Sequence, residues 1–220
     1  GMATVAPGDA DADGIPDYAY AGDVDGNMWK IDLDTLSTAS VGYRLYQAKS
    51  GTTVQPITTT PEIVGHPLGG AVIVFGTGKY IEVVDNTNST QQTVYGIWDK
   101  PGAVSGVTTA ADRYNLQQQS FYSVTSTFDG ATYTTSAANA VDWSDKLGWY
   151  LDLHVSGTNP SERVGYDPQM IGNVLNVPTI VPSSDICSSG GDSWDYLVSP
   201  LTGARPDYSA FSGVPKINVG

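Results

Sequence analysis

The chain has 220 residues, 40% hydrophobic and 15% charged, with 13 Tyr and 5 Trp; this is a globular composition and excludes an acidic disordered tail, which would be poor in aromatics. Ten Lys and Arg stand against 23 Asp and Glu, a formal charge of −13, which excludes nucleic acid and anionic membranes as partners because both require basic surface. No apolar run reaches the roughly 20 residues of a membrane helix, and no basic-then-apolar leader pattern opens the sequence, so an exported parent would carry its leader outside this stretch.

Only Glu62, Glu82 and Glu162 are glutamates, which leaves 20 aspartates. Glu favours helices, whereas Asp bonds its own nearby backbone and favours turns, so the acidity belongs to loops. Taken in chain order, short alternating or apolar runs broken by Gly, Pro, Asn and Asp predict strands. They fall over 18–22, 28–33, 43–48, 62–64, 71–76, 80–84, 93–98, 117–127, 131–136, 148–153, 174–179 and 194–198. Residues 111–119 have room for one helical turn. Asp129-Gly130 supplies the positive φ angles of a tight hairpin between two alternating runs.

A loose repeat runs through these elements. "YAYAGDVDGNMWKIDL" reads strand, Gly-Asp turn, strand; "AVIVFGTGKYIEVVD" repeats the plan with Gly76, Gly78 and Tyr80; "DYLVSPLTGARPDY" is an incomplete third copy. Such units suggest propeller blades of about 40–45 residues each. The expected fold is all-β: a partial propeller of about four to five blade-like repeats, or a modified one. An ordinary β-sandwich is the alternative. The expected division is a start and loop over 1–17, a propeller segment over 18–203 and a C-terminal tail over 204–220.

The loop at the start carries the chemistry. In "DADADGIPD" the carboxylates of Asp9, Asp11, Asp13 and Asp17 fall at positions 1, 3, 5 and 9, with Gly14 at 6. Ile15, at 7, offers its backbone carbonyl. That is the ligand order of a calcium loop, in which alternate oxygen donors point inward and glycine permits the sharp turn. Pro16 holds Ile15 extended and leads the chain into a strand. An EF-hand would add a bidentate Glu at position 12, but Tyr20 stands there, inside a β run. The loop has neither His nor Cys, which disfavours zinc, and five protein oxygens leave little room for the waters magnesium retains. Ca2+ is therefore the expected ion.

Other polar residues read more simply. Asp23 and Asp25 are turn formers between Gly22 and Gly26. His66, in "GHPLGG", and His154 are turn or strand-end residues. Cys187 is alone, so no internal disulfide or CxxC metal site is available. "GGDSW" over 190–194 lacks the following helix of a phosphate loop.

Taken together and in order, the calcium loop, "DYAYAGDVDGNMWKIDL", "QPITTTPEIVGHPLGGAVIVFGTGKYIEVVD", "TVYGIWDK", "GWYLDL" and "GGDSWDYLVSPLTG" resemble the C-terminal β-propeller of PilY-type proteins. The resemblance implies an exported, non-catalytic part of a type IV pilus biogenesis protein, found at the pilus tip or cell surface. It implies a loop that binds calcium through Asp9, Asp11, Asp13, the Ile15 carbonyl and Asp17, whose occupancy tunes pilus extension, retraction or adhesion. Other pilus components such as minor pilins, or a host surface, are the implied partners. The remaining blades of a parent protein, or a second copy through open strand edges, are also expected neighbours.

Two other functions fit parts of the sequence. A lectin-like module would use Trp29, Trp98, Trp143, Trp149 and Trp194 as a sugar-binding face over structural calcium, although large aromatics more often supply core. A quinoprotein dehydrogenase propeller, holding pyrroloquinoline quinone and calcium, would need eight blades and in many cases paired cysteines.

Overall fold

A computed structural model describes residues 1–11, 13–34, 42–102, 113–128, 131–136, 139–153, 161–182, 192–206 and 216–218. The strands, in order, are β1 (Ala6–Gly8), β2 (Tyr18–Gly22), β3 (Asn27–Asp32), β4 (Gly42–Gln47), β5 (Lys49–Ser50), β6 (Thr53–Val54), β7 (Glu62–Gly65), β8 (Ala71–Gly76) and β9 (Thr93–Asp99). They continue as β10 (Gln117–Gln119), β11 (Phe121–Phe128), β12 (Ala131–Ser136), β13 (Gly148–Asp152), β14 (Arg163–Val164), β15 (Gln169–Ile171), β16 (Val174–Val181), β17 (Asp192–Val198) and β18 (Lys216–Asn218). The helical content of the described residues is two 3₁₀ turns, Val83–Thr87 and Arg113–Asn115.

The first sheet is an antiparallel meander, β1-β2-β3-β4. The second runs β10-β13-β9-β8-β7, antiparallel except for the parallel pair β10–β13. The third runs β11-β12-β18-β17-β16-β14, with β15 also on β16, and β5-β6 form a separate ribbon. Among the described residues, the expected four to five blade-like repeats become sheets of four, five and seven strands and a two-stranded ribbon.

The middle sheet has two buried faces, and β8 shows why its sequence, "AVIVFG", is apolar throughout. Successive side chains on a strand point to opposite faces. Ile73 and Phe75 enter one core with Tyr20, Met28 and Leu45 of the first sheet. Val72 and Val74 enter a second core with Leu175, Val177, Tyr196 and Val198 of the third. Trp149 on β13 fills the second core at 0% exposure, and its indole N–H donates to the Pro200 carbonyl at 2.9 Å. Gly203 caps it with φ +66; an added Cβ would lie 2.1 Å from Trp149 Cε3. The third repeat copy is therefore a strand followed by a tight turn that seals a tryptophan.

Polar residues tie the layers together. Lys30 on β3 bonds Asp99 on β9 at 2.7 Å, with side chains only 8% and 5% exposed. Tyr20 Oη donates to the same carboxylate at 2.6 Å, and the Lys30 ammonium sits 3.7 Å above the Tyr18 ring. Burial, and then the Asp99 charge, push the Tyr20 hydroxyl well above its usual pKa. Arg113 holds both Asp152 oxygens at 2.8 and 3.0 Å, Thr93 Oγ1 at 2.7 Å and the Lys49 carbonyl at 2.8 Å, which joins the ribbon to the middle sheet.

Several expectations need correction. Residues 80–84 are not a strand. The Asp85 carboxylate takes the Ile81 and Glu82 amides, each at 2.9 Å, and a 3₁₀ turn follows over Val83–Thr87. The strands paired with β8 are β7 before it and β9 further along the chain, so "AVIVFGTGKYIEVVD" is not a simple hairpin. The run 117–127 divides at Ser120 into β10 and β11, which lie in different sheets. Lys216–Asn218, within the expected tail, pairs with β12 and β17, while Ala6–Gly8, within the expected loop segment, pairs with β2. The hairpin strands β11 and β12 pair as expected; Asp129-Gly130 itself lies outside the described residues, as do His154, Cys187 and Gly190.

Candidate metal centre

The acidic loop leaves β1 and re-enters the first sheet at β2. Its mouth is closed by the Asp17 amide, which donates to the Gly8 carbonyl at 2.9 Å, and by the Leu33 amide, which donates to the Asp17 carbonyl at 2.8 Å. Within it the carboxylates accept from loop amides. Gly14 N–H donates to Asp9 Oδ2 at 2.8 Å, Asp13 N–H to Asp11 Oδ1 at 3.1 Å, Ile15 N–H to Asp13 Oδ1 at 2.7 Å and Ala10 N–H to Asp17 Oδ2. Gly14 makes the sharp turn at φ +92, a left-handed conformation that costs glycine little.

Asp9, Asp11 and Asp17 converge, each offering a carboxylate oxygen within 4.8 Å of the others. Two oxygens on one calcium ion, each at 2.3–2.6 Å, lie at most about 4.6–5.2 Å apart, so the trio fits a shared ion of that size. Asp13 stands outside the trio, its Oδ1 engaged by the Ile15 amide. The Ile15 side chain is exposed, which leaves its backbone as the group with ligand chemistry. The donor set is all oxygen, as a hard cation requires.

The electrostatics agree with that need. The Asp13 amide lowers the pKa of the Asp11 carboxyl, but repulsion from Asp13, burial, and repulsion from Asp17 and Asp9 raise it on balance. A cation at the centre would reverse that balance. Asp9 also faces a cleft of about 570 Å³ between the first and second sheets, lined in part by Tyr18, Tyr20, Lys30, Ile63 and Asp99. The loop's root is packed there: an added Cβ at Gly8 would meet Ile63 Cδ1 at 3.3 Å and Tyr20 Cε2 at 3.4 Å.

The other polar residues singled out in the sequence take structural places. Asp23 accepts from the Asp25 and Asn27 amides and from the Trp29 indole, at 2.9, 2.8 and 2.8 Å. Burial raises its pKa, but the hydrogen bonds from Asn27, Trp29 and Asp25 outweigh that and leave it lowered. None of the five tryptophans is among the exposed large side chains; Trp98 and Trp149 are buried, and Trp29, Trp143 and Trp194 are half-buried. The Lys30–Asp99 pair carried no local sequence signal, because its partners come from different sheets.

His66 sits in the expected turn yet is only 6% exposed. Its ring packs 4.2 Å from Trp98 and 4.4 Å from Trp143, between centroids. Nδ1 accepts the Leu68 amide at 3.1 Å, so the neutral ring carries its proton on Nε2, which is buried without a partner among the described residues. Burial, and then Lys100, lower its pKa. The unfolded chain, with an imidazole pKa of ~6.5, therefore binds the proton more tightly. The His66 contribution is complete above that value and is lost as pH falls through the folded value. Urea midpoints should drop between about pH 7.5 and about pH 5.5. His66→Gln should flatten that slope, and an unchanged slope would refute the assignment.

Comparison with known proteins follows the same lines. The profile of the family described as the PilY1 β-propeller domain matches residues 1–133. The type IV pilus biogenesis factor PilY1 of Pseudomonas aeruginosa strain PAO1 is 37% identical over 247 residues, covering 96% of this chain and 21% of the relative. A type IV pilus biogenesis factor PilY1 homolog of Xylella fastidiosa is 31% identical, covering 92% of this chain and 14% of the relative. The crystal structure of the P. aeruginosa PilY1 C-terminal domain superposes with a TM-score of 0.81 at 30% identity, covering 100% of this chain and 55% of that one. The chain thus spans about a fifth of the length of the P. aeruginosa relative.

Proposed function

The chain belongs to the PilY1 β-propeller domain family, and on that premise we propose that it is a non-catalytic, calcium-binding propeller segment of a type IV pilus biogenesis protein. The ion is held by Asp9, Asp11 and Asp17, with Asp13 and the Ile15 carbonyl completing the protein ligands and water filling the rest. It neutralises a cluster of like charges and sets how β1 and β2 leave the loop. Occupancy stabilises the first sheet and modulates pilus extension, retraction or adhesion. The segment works outside the cytoplasm, at the cell surface or pilus tip, beside the remaining blades of its parent and other pilus components. Its assignment to pilus biogenesis is supported by relatives that carry that name. None of the described helices is long and apolar enough to cross a membrane.

The observation that carries the calcium reading is the convergence of the three carboxylates within 4.8 Å in a segment matched by the family profile. Titration calorimetry on chelator-treated protein tests it. Calcium should bind saturably at one equivalent, and magnesium should compete only weakly, because it gives up its waters reluctantly. A flat calcium titration would overturn the reading.

A further inference from the structure

The acidic loop hands the chain directly to the seam between the first two sheets. Asp17 is the last of its carboxylates, and the next residue opens β2. Tyr18 and Tyr20 alternate on that strand, so their side chains leave on the same face. The Lys30 ammonium lies 3.7 Å from the centre of the Tyr18 ring, and the Tyr20 hydroxyl donates to Asp99 at 2.6 Å. Lys30 stands opposite Tyr20 on β3, whereas Asp99 ends β9 of the second sheet. Tyr20 holds the loop position where an EF-hand places its bidentate Glu; here that position grips the buried ion pair instead. The other end of the loop meets the same sheet. Gly8 ends β1 opposite Tyr18, and an added Cβ there would lie 3.3 Å from Ile63 Cδ1 and 3.4 Å from Tyr20 Cε2. Asp9 and Ala10 line the cleft between the sheets together with Lys30, Ile63 and Asp99.

Both strands that leave the loop are therefore braced on the second sheet, which contributes no carboxylate to the converging trio. Without a cation, Asp9, Asp11 and Asp17 repel one another. Parting Asp9 from Asp17 parts the end of β1 from the start of β2, where the tyrosines that hold Lys30 and Asp99 begin. In the other direction, a closed seam keeps the roots of Asp9 and Asp17 together, so the ion has less of the loop to order. We propose that ion occupancy and closure of the seam between the first two sheets are coupled, with Tyr18 and Tyr20 as the positioning residues that link them. The inference rests on the calcium reading above and adds where the ion's effect is delivered: to Asp99 and the packing of one sheet on the next. By reciprocity, whatever parts the two sheets weakens the loop's hold on calcium by the same factor by which calcium favours their closure.

Calorimetric titration of the chelator-treated 220-residue chain with calcium, well below each protein's melting midpoint, reads the coupling. Tyr20→Phe keeps the ring and removes the bond to Asp99; it should raise the calcium Kd by about 5-fold or more. Ile63→Ala changes β7, which holds no candidate ligand, and should raise Kd in the same direction; it carries the test alone if Tyr20→Phe does not fold. Val177→Ala is the control. It opens space in the second core, away from the seam, and should lower the melting midpoint yet leave Kd unchanged. An unchanged Kd in either folded seam variant, with calcium still bound, overturns the coupling and leaves the calcium reading standing. Equal weakening by Val177→Ala also overturns it, because general loss of stability would then account for the effect. A native chain that binds no calcium overturns both.

Discussion

Chelation of calcium should lower the melting temperature of the chain by about 5–10 °C. An ion present at 100 times its dissociation constant adds about 2.7 kcal/mol to the folded state, and in a domain of this size each kcal/mol moves the midpoint by roughly 2–4 °C. Asp17→Ala should give a loss of similar size and abolish the response to chelator. Asp17 is the telling position because it does two things at once. Its carboxylate belongs to the converging trio, and its backbone closes the loop onto Gly8 and Leu33. The substitution removes the first and spares the second. Asp25→Ala, in the exposed turn of the next hairpin, should leave both the midpoint and the chelator response alone. Differential scanning calorimetry with calcium and with EDTA reads all three proteins. A native chain indifferent to EDTA would remove the stabilising role of the ion.

Lys30→Ala should destabilise the chain by about 3–5 kcal/mol, the usual cost of leaving one member of a buried ion pair alone. Asp99 would keep Tyr20 Oη as a donor but lose its counter-charge inside the seam between the first two sheets. A melting midpoint lower by about 6–20 °C is expected. Replacing both charges, Lys30→Met with Asp99→Leu, should recover part of that loss, because the burial penalty of the charges goes with them. Recovery should be incomplete, since the Tyr20 hydroxyl would then lack its acceptor. Urea unfolding of the single and double variants decides the point; a Lys30→Ala chain as stable as its parent would show that the pair does not hold the seam.

The loop and the strands were legible in the sequence for different reasons. The acidic loop is local: its ligand candidates lie within nine residues, and a turn with a positive φ at Gly14 is written by the glycine itself. Asp23 is legible in the same way, as a turn former serving residues two to six positions on. The strands 18–22, 71–76 and 131–136 match their observed bounds because alternation and short apolar runs report burial on one or both faces of a strand.

The segment 80–84 misled for an equally physical reason. Tyr, Ile and Val favour strands, but that preference expresses packing on a half-buried pleated surface. Here the neighbouring backbone is claimed by Asp85, the next residue along, and by Arg163 from a distant strand. Propensity had no ladder to join.

By itself, then, the sequence determined an all-β chain, an acidic surface and a nine-residue loop with the donor order of a calcium site, because composition, strand period and turn chemistry all act over a few residues. Only the tertiary structure decided that β8 pairs with β9, that Lys30 and Tyr20 meet Asp99 across a seam, that His66 lies buried between two tryptophans, and that Tyr80–Val84 faces solvent. Each depends on groups far apart in the chain. Tyr20 and Asp99 are 79 residues apart and Asp85 and Arg163 are 78, and no local preference encodes which distant partner closes such a contact.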